Sequence, residues 1–441
     1  MHPLDRREVL AATAAGLGFW VSGTPAEEKA KSPLDKIRWA CIGVQGKGSS
    51  DTAAAAKSGD LVAICDVDET RLGLSALLYP KAAKFADFRV LLDKLGKSID
   101  AVTVSTPDHT HAAVAAAAMR MGKHCFCQKP LTRTIYEARR LGEIARDKKV
   151  KTQMGNQHTA SDGLRKAAAL VKAGTLGPVK EVHVWTNRPV WKQGGERAKA
   201  APVPKTLAWD LWLGPRPERP YAPGYHPFSW RGFADFGSGA LGDMACHTFN
   251  LPFMALDLRD PISASPESSY GGGLGGDGSP PDMFPKWSII TFQFPACGKR
   301  AAVKVVWYDG GKLPPAGLFG KGVKPAKSGS LLVGAKGSLY APGDNGTSYQ
   351  LLGDIEEPKG LEFTKSPGHF AELVEAIYGD VDPVSNFTEY GGPLTETILL
   401  GNLAVLSQQK IEWDARKMKA KGASRAVEEL IRPTYRKGWT L

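Results

Sequence analysis

Cysteine, long apolar runs and blocks of like charge are what this sequence has least of. Six cysteines in 441 residues give no Cys-x-x-Cys pairing. Cys41, Cys65, Cys125, Cys127, Cys246 and Cys297 sit mostly inside apolar, strand-like runs and read as buried thiols. Cys125-Phe126-Cys127 puts two sulfurs on one face of a strand at a spacing that chelates poorly, so no metal is expected. With a mean hydropathy of −0.23, the chain has no room for a polytopic membrane protein, and no stable membrane insertion is expected. Excess basic charge is present, 57 Lys and Arg against 45 Asp and Glu for a net +12, but it is interleaved with acids and forms no stripe, so no nucleic-acid partner is expected. No internal repeat is found. What is abundant points to a folded chain: 11 Trp and 16 Phe need a core, while 49 Gly and 31 Pro imply many turns. At 441 residues the chain is too long for a lone small binding module and implies about two or three domains.

Asp5-Arg6-Arg7-Glu8-Val9-Leu10 leads into an uncharged stretch that ends at Val21, then small residues and a charged linker to Ser32. That is a signal-peptide layout, and the stretch is short of the ~20 residues a spanning helix needs. The Arg6-Arg7 pair resembles the twin-arginine export signal, used by proteins that fold and load a cofactor before crossing the membrane. Residues 1–32 are therefore expected to be signal and linker, with a periplasmic or secreted location. If the stretch is instead an ordinary N-terminal helix, the location is cytoplasmic.

From Ile37 apolar runs alternate with helical segments: Ile37 to Val44, a helix near Thr52 to Lys57, Leu61 to Cys65, Ala101 to Ser105, a helix from Thr110 to Met121, and His124 to Cys127. Such alternation predicts a parallel sheet covered on both faces. The Thr134…Glu137 spacing is a capping box and starts a helix that runs to about Arg146, with Leu141 and Ile144 inward. A strand over Lys151 to Met154 closes a first domain spanning 33–157. Residues 158–441 form a second. Between Trp185 and Phe236 dense Trp, Pro and Gly read as long loops over a substrate cleft. Ser288 to Phe294, Ala302 to Trp307 and Ser330 to Val333 read as strands of a mainly antiparallel sheet, followed by helices near His369 to Tyr378 and Leu394 to Leu406.

Gly43-Val44-Gln45-Gly46-Lys47-Gly48 follows the first strand and opens a helix, where backbone amides hold a pyrophosphate. Asp66 ends the second strand at the ~20-residue spacing at which a carboxylate takes the ribose hydroxyls of NAD and repels the extra phosphate of NADP. Gln45 stands where the middle glycine belongs, and Gly46 compensates only in part.

Three further segments, Ser105-Thr106-Pro107-Asp108-His109-Thr110-His111, Gln128-Lys129-Pro130-Leu131 and Gly239-Ala240-Leu241-Gly242-Asp243-Met244-Ala245-Cys246-His247, join this fingerprint. Together they resemble the Gfo/Idh/MocA family from about Ile37 onward. The resemblance implies an α/β fold: an N-terminal Rossmann domain, a C-terminal domain on an open, mainly antiparallel sheet, NAD(P)-dependent chemistry on sugars or polyols, and homo-oligomers (dimer or tetramer) through that sheet. Gln128-Lys129-Pro130 matches the family's Glu-Lys-Pro, which sets Lys129 beside the nicotinamide, with Gln128 replacing the acid. The resemblance assigns Lys129, Asp243 and His247 to the catalytic position. Asp243 and His247, spaced i,i+4, share one helix face. Oxidising a carbinol needs a base with a pKa near neutrality, the role given to His247; Lys129 stabilises the alkoxide, and Asp243 orients the sugar or the imidazole. Thr106, Pro107, His111 and Asn156 complete the expected cofactor contacts, with Gln157 beside Asn156; His109 is expected in solvent. Tyr225, His226, Trp230 and Arg231, in an aromatic cluster with Trp209, Trp212 and Tyr221, are expected to hold the sugar. The activity expected is hydride transfer at a hydroxyl of a carbohydrate, polyol or glycoside. The alternatives are a redox-neutral glycosidase or lyase on tightly bound NAD, passing through a keto-sugar, and a non-catalytic sugar-responsive scaffold.

Overall fold

The computed structural model describes residues 36–441; the export signal expected in residues 1–32 lies outside the described residues. The first unit runs β1 (Ile37–Ile42), α1 (Lys47–Ser58), β2 (Gly59–Cys65), α2 (Glu69–Leu78), β3 (Ala83–Phe85), α3 (Phe88–Leu95), β4 (Ala101–Val104), α4 (Asp108–Arg120), β5 (His124–Cys127), α5 (Ile135–Lys148) and β6 (Thr152–Met154). Its strands pair in parallel in the order β3-β2-β1-β4-β5-β6. The central strands are nearly continuous apolar runs because helices cover both faces. The order reverses between β1 and β4, and at such a switch point the strand ends leave a crevice for a ligand. Thr134 and Glu137 cap one another's backbone amides at the start of α5, which buries Leu141 and Ile144 as their spacing predicts.

The second unit comprises α6 (Asp162–Lys172), β7 (Val179–Trp185), α7 (Trp209–Leu213), α8 (Gly239–Thr248), α9 (Asn250–Ala255), β8 (Ser263–Ser268), β9 (Ser288–Phe294), β10 (Val303–Tyr308), β11 (Gly329–Gly334), β12 (Ser338–Pro342), β13 (Gln350–Leu352), α10 (His369–Tyr378), α11 (Gly392–Ser407), β14 (Ile411–Asp414), β15 (Lys419–Ala420) and α12 (Arg425–Ile431). Its nine strands lie in the order β13-β12-β11-β7-β10-β9-β8-β14-β15. Every pair is antiparallel except β7 with β10. In β9 buried and half-buried residues alternate strictly, the mark of a strand with one face on the core. Residues 186–236 are irregular apart from α7 and a short turn of helix over Ser229–Gly232.

The chain then returns to its first unit. Leu373 and Ile377 of α10 join Trp39 and Phe126 in one buried cluster, with Phe370 5.3 Å from the Trp39 ring and 5.1 Å from Phe126. Helix α11, buried along most of its length, packs against both α5 and α8. The two units therefore share apolar core, and their mutual position is fixed by burial. Among the described residues no helix is long and apolar enough to cross a membrane, and no cluster of three or more His, Cys, Asp or Glu could hold a metal ion. The cysteines are free, all buried except Cys297.

Candidate active site

A cavity of about 540 Å³ opens at the carboxyl ends of β1, β2, β4 and β5, roofed by Leu211, Trp212, residues 226–228, Trp230 and Arg231 and by His247 of α8. One end is the glycine turn. Gly43 has φ +79°, and a Cβ there would sit 2.6 Å from the Ser105 carbonyl oxygen; at Gly48 a Cβ would sit 1.9 Å from the Gly43 oxygen. Gly48 itself does not line the cavity: it lets α1 start against the turn. Gly46, at φ +64° with open space around it, caps α1 without any side-chain hydrogen bond; the Gly48 and Ser49 amides turn back to the Gln45 and Gly46 carbonyls at 3.2 and 3.3 Å, and no side chain stands between the start of the helix and an anion. The Gln45 side chain is carried aside, its Nε2 donating to Ser75 Oγ of α2 at 2.9 Å. This leaves the backbone of the turn on the cavity wall despite the missing middle glycine. Asp66 lines the same wall and accepts from the Val44 and Asp68 amides, each at 3.1 Å. Burial raises its pKa against the pull of those amides and of Arg71. A helix start with no side-chain cap, followed by the Asp66 carboxylate, fits a dinucleotide's pyrophosphate and ribose.

Asp51, which the sequence did not single out, ties this end together. It is buried and takes hydrogen bonds from Lys47 Nζ at 2.7 Å, Ser105 Oγ at 2.7 Å and Gln128 Nε2 at 2.8 Å. A glutamate at position 128 would set two carboxylates at hydrogen-bond distance, so Gln128 and Asp51 form one arrangement. Thr106, Pro107, Gln128 and His111 line the cavity; the His111 ring spans Thr106 O at 2.8 Å and Pro130 O at 3.0 Å.

At the other end Lys129 Nζ donates to the Asp243 carbonyl oxygen at 2.7 Å and to its Oδ1 at 3.1 Å. Arg231 Nε reaches the same Oδ1 at 3.2 Å. Burial opposes ionisation of Asp243, but the two cations prevail and hold its carboxyl at about 2. His247, one helical turn further along α8, lines the cavity, and its Nδ1 has no partner among the described residues. Burial, with the Lys129 charge beside it, holds the imidazole well below its ordinary range, so it is neutral at neutral pH. Asp243, expected to orient the sugar or the imidazole, turns toward Lys129 and Arg231. Asp108, also missed, lines the cavity at the start of α4 and accepts from Ser238 Oγ at 2.9 Å; burial pushes it up to about 7.

Four expectations need correction. Tyr225 is fully buried and faces no cavity: with Trp209 and Trp212 it forms a stacked core, because ring burial outweighs exposure for a platform. His226 does line the cavity, but its Nε2 is already engaged by Asp68 Oδ2 at 2.9 Å. Asn156 is fully buried and off the wall, its Oδ1 accepting from Ser385; its neighbour Gln157 lines the cavity instead. His109 is buried, not solvated, with its ring nitrogens on Trp212 O at 2.7 Å and Phe236 O at 3.3 Å. Trp230 and Arg231 do reach the cavity, joined by Phe228, and the Arg231 guanidinium lies 4.3 Å above the Trp230 ring.

Residues 37–156 match the Gfo/Idh/MocA family model for the oxidoreductase NAD-binding Rossmann fold, and residues 162–264 match a model for the family's C-terminal α/β domain. The chain belongs to the Gfo/Idh/MocA oxidoreductase family. Its first unit is thus the family's NAD-binding domain. A levoglucosan dehydrogenase of Pseudarthrobacter phenanthrenivorans is 27% identical over 38% of this chain and 35% of its own length. Inositol 2-dehydrogenase 3 of Saccharopolyspora erythraea is 31% identical over 32% of this chain and 41% of its own. The matches thus span well under half the length of these curated relatives. In fold the chain is similar to the WlbA dehydrogenase of Bordetella pertussis, solved with NADH and UDP-GlcNAcA, at TM-score 0.61 and 16% identity over 86% of this chain and 99% of that one. It is also similar to a levoglucosan dehydrogenase solved with NADH and L-sorbose, at TM-score 0.56 and 15% identity over 86% and 99% of the two chains.

Proposed function

We propose that this protein is an NAD-dependent oxidoreductase acting on a hydroxyl of a carbohydrate, polyol or glycoside. The observation that carries the reading is the meeting of Lys129, Asp243 and His247 at one end of a cavity whose other end is the glycine turn and Asp66. NAD, when bound, supplies the hydride acceptor. Lys129, fixed by the Asp243 carboxylate and backbone, presents a cation to the oxygen that gains negative charge. The neutral His247, whose ring lines the cavity while its Nδ1 is buried without a partner among the described residues, takes the hydroxyl proton. Arg231 and Trp230 offer the substrate a cation and a ring face. The sugar and inositol names of the relatives support the substrate class. The test is NADH formation at 340 nm with a panel including inositols, levoglucosan, free aldoses and uronic-acid sugars. A protein that binds NAD and reduces it with at least one hydroxyl substrate is the expected result; failure to bind NAD would sink the reading.

A second reading is favoured by Arg6-Arg7. An exported protein meets no free NAD pool, so the same residues would serve a redox-neutral glycosidase or lyase that keeps its nucleotide and works through a keto-sugar. It predicts glycoside breakdown without net NADH.

A further inference from the structure

Trp439 lies far along the chain from the Rossmann unit, yet it lines the same cavity as the glycine turn. Its place within that cavity is specific. The pyrophosphate position at Gly46 and the ribose position at Asp66 fix the direction of a dinucleotide, and the adenine then falls beyond Asp66, past the end of β3. The wall there is made of Ala86, Asp87, Phe88 and Trp439. Trp439 is 9% exposed; its ring lies 6.0 Å from that of Phe88, and the Arg89 guanidinium sits 4.4 Å over it.

The segment bearing it is held along its length. The Arg432 guanidinium stacks 4.3 Å over Tyr136, and Tyr435 Oη donates to Glu137 Oε1 at 2.6 Å. The Arg436 guanidinium takes the carboxylate and carbonyl of Asp210 and the carbonyl of Gly214, while its amide donates to Pro215 O at 3.1 Å. The segment thereby spans α5, the loop after α7 and α3, and delivers an indole to the rim of the nucleotide end.

We propose that Trp439 is a cofactor-binding residue, and that residues 432–441 wall the adenine end of the cavity and slow the escape of the nucleotide. The proposal rests on the reading of this cavity as the NAD site. The Arg436 guanidinium also lies 5.8 Å over the ring, so the indole meets adenine through the side that lines the cavity, and contact between an aromatic ring and a base is of a strength that alanine substitution reveals. Trp439→Ala should therefore weaken NAD, ADP-ribose and AMP about tenfold to a hundredfold and speed NAD release, while nicotinamide mononucleotide, which lacks the adenine, binds as in the unaltered protein. Trp439→Phe should bind NAD within a few-fold of the unaltered protein, which separates loss of the ring from misfolding. Titration calorimetry with the four nucleotides on the full-length protein reads all of this. Unchanged AMP and NAD affinity in Trp439→Ala overturns the proposal, as does an equal loss of nicotinamide mononucleotide, which would make the segment a general staple. An unaltered protein that binds no NAD overturns the oxidoreductase reading and this proposal with it. That outcome is visible before any variant is made.

Discussion

On the oxidoreductase reading Lys129 stabilises the alkoxide, and its removal also takes one of two cations from Asp243 and the charge beside His247. Among the described residues the Lys129 Nζ meets only Asp243 in hydrogen bonds, so Lys129→Met should lower kcat by about 10²- to 10⁴-fold while NAD still binds at the glycine turn. Turnover persisting near the original rate would refute the assignment. The pH profile carries a second check. As the proposed base His247 would act only in its free form, and burial beside Lys129 keeps it unprotonated to well below its ordinary pKa. The kcat/KM profile should therefore stay flat from above neutrality down through pH 6.5 and fall only in more acidic solution, where an exposed histidine would already have titrated. Asp108 works in the opposite sense. Its folded pKa, raised by burial to about 7 from an ordinary 3.8, means that the stability it contributes is complete below about pH 4 and lost as pH rises through 7. Asp108→Asn removes that titration. Denaturant melts at pH 4 and pH 8 should show the variant gaining on the unaltered protein at the higher pH, and equal differences at both would refute the shift.

At the level of elements, the glycine turn separates two kinds of glycine that look alike in sequence. A Cβ on Gly48 would lie 1.9 Å from the Gly43 oxygen, so Gly48→Ala must displace either β1's exit or α1, and NAD binding should be lost. Gly46 has open space and pays only for its backbone at φ +64°, ψ −122°, so Gly46→Ala should fold with a cost of about 1–3 kcal/mol and bind NAD more weakly. Calorimetry with NAD on both variants ranks them; the reverse order would break the account. The parallel unit was legible because its buried strands are apolar runs and α5 carries a capping box. Elements α2, β3 and α3 were not. Helix α2 exposes Leu74, Leu77 and Leu78 and fully buries only Ser75, so its pattern points at no core, and β3 is three residues without a buried one. In the second sheet β8 carries Pro266 and serines, and nothing local marks it as a strand. The site divides in the same way. Lys129, Asp243 and His247 could be found from motifs, whereas Asp51, Asp108, Phe228 and Trp439 enter it only when distant segments meet. Tyr225 was misplaced because an aromatic cluster reads alike as a platform and as a core until burial decides.

Across the whole molecule, α10 and α11 bury apolar surface against the first unit, and the cavity takes its walls from both units. A ligand there contacts both halves, so its binding energy must be lost when either half opens. The unit boundary should therefore be invisible to melting: one cooperative transition, displaced upward as a whole by NAD. At NAD concentrations a hundredfold above Kd the gain is about 2.7 kcal/mol, several degrees in a domain pair of this size. Two transitions, with only the first shifted, would show that the shared core does not couple the units. The same experiment bears on nucleotide retention. Protein isolated without added cofactor, dialysed and then denatured, should release close to one NAD per chain if the cavity holds its nucleotide against dilution, and its melt should then respond little to further NAD. That result would favour internally recycled chemistry, and with it the export reading of Arg6-Arg7, because a protein that keeps its nucleotide needs no pool outside the cytoplasm. An empty protein whose melt rises sharply with added NAD would instead favour a dehydrogenase that exchanges cofactor at every turnover, and would place it where NAD is free.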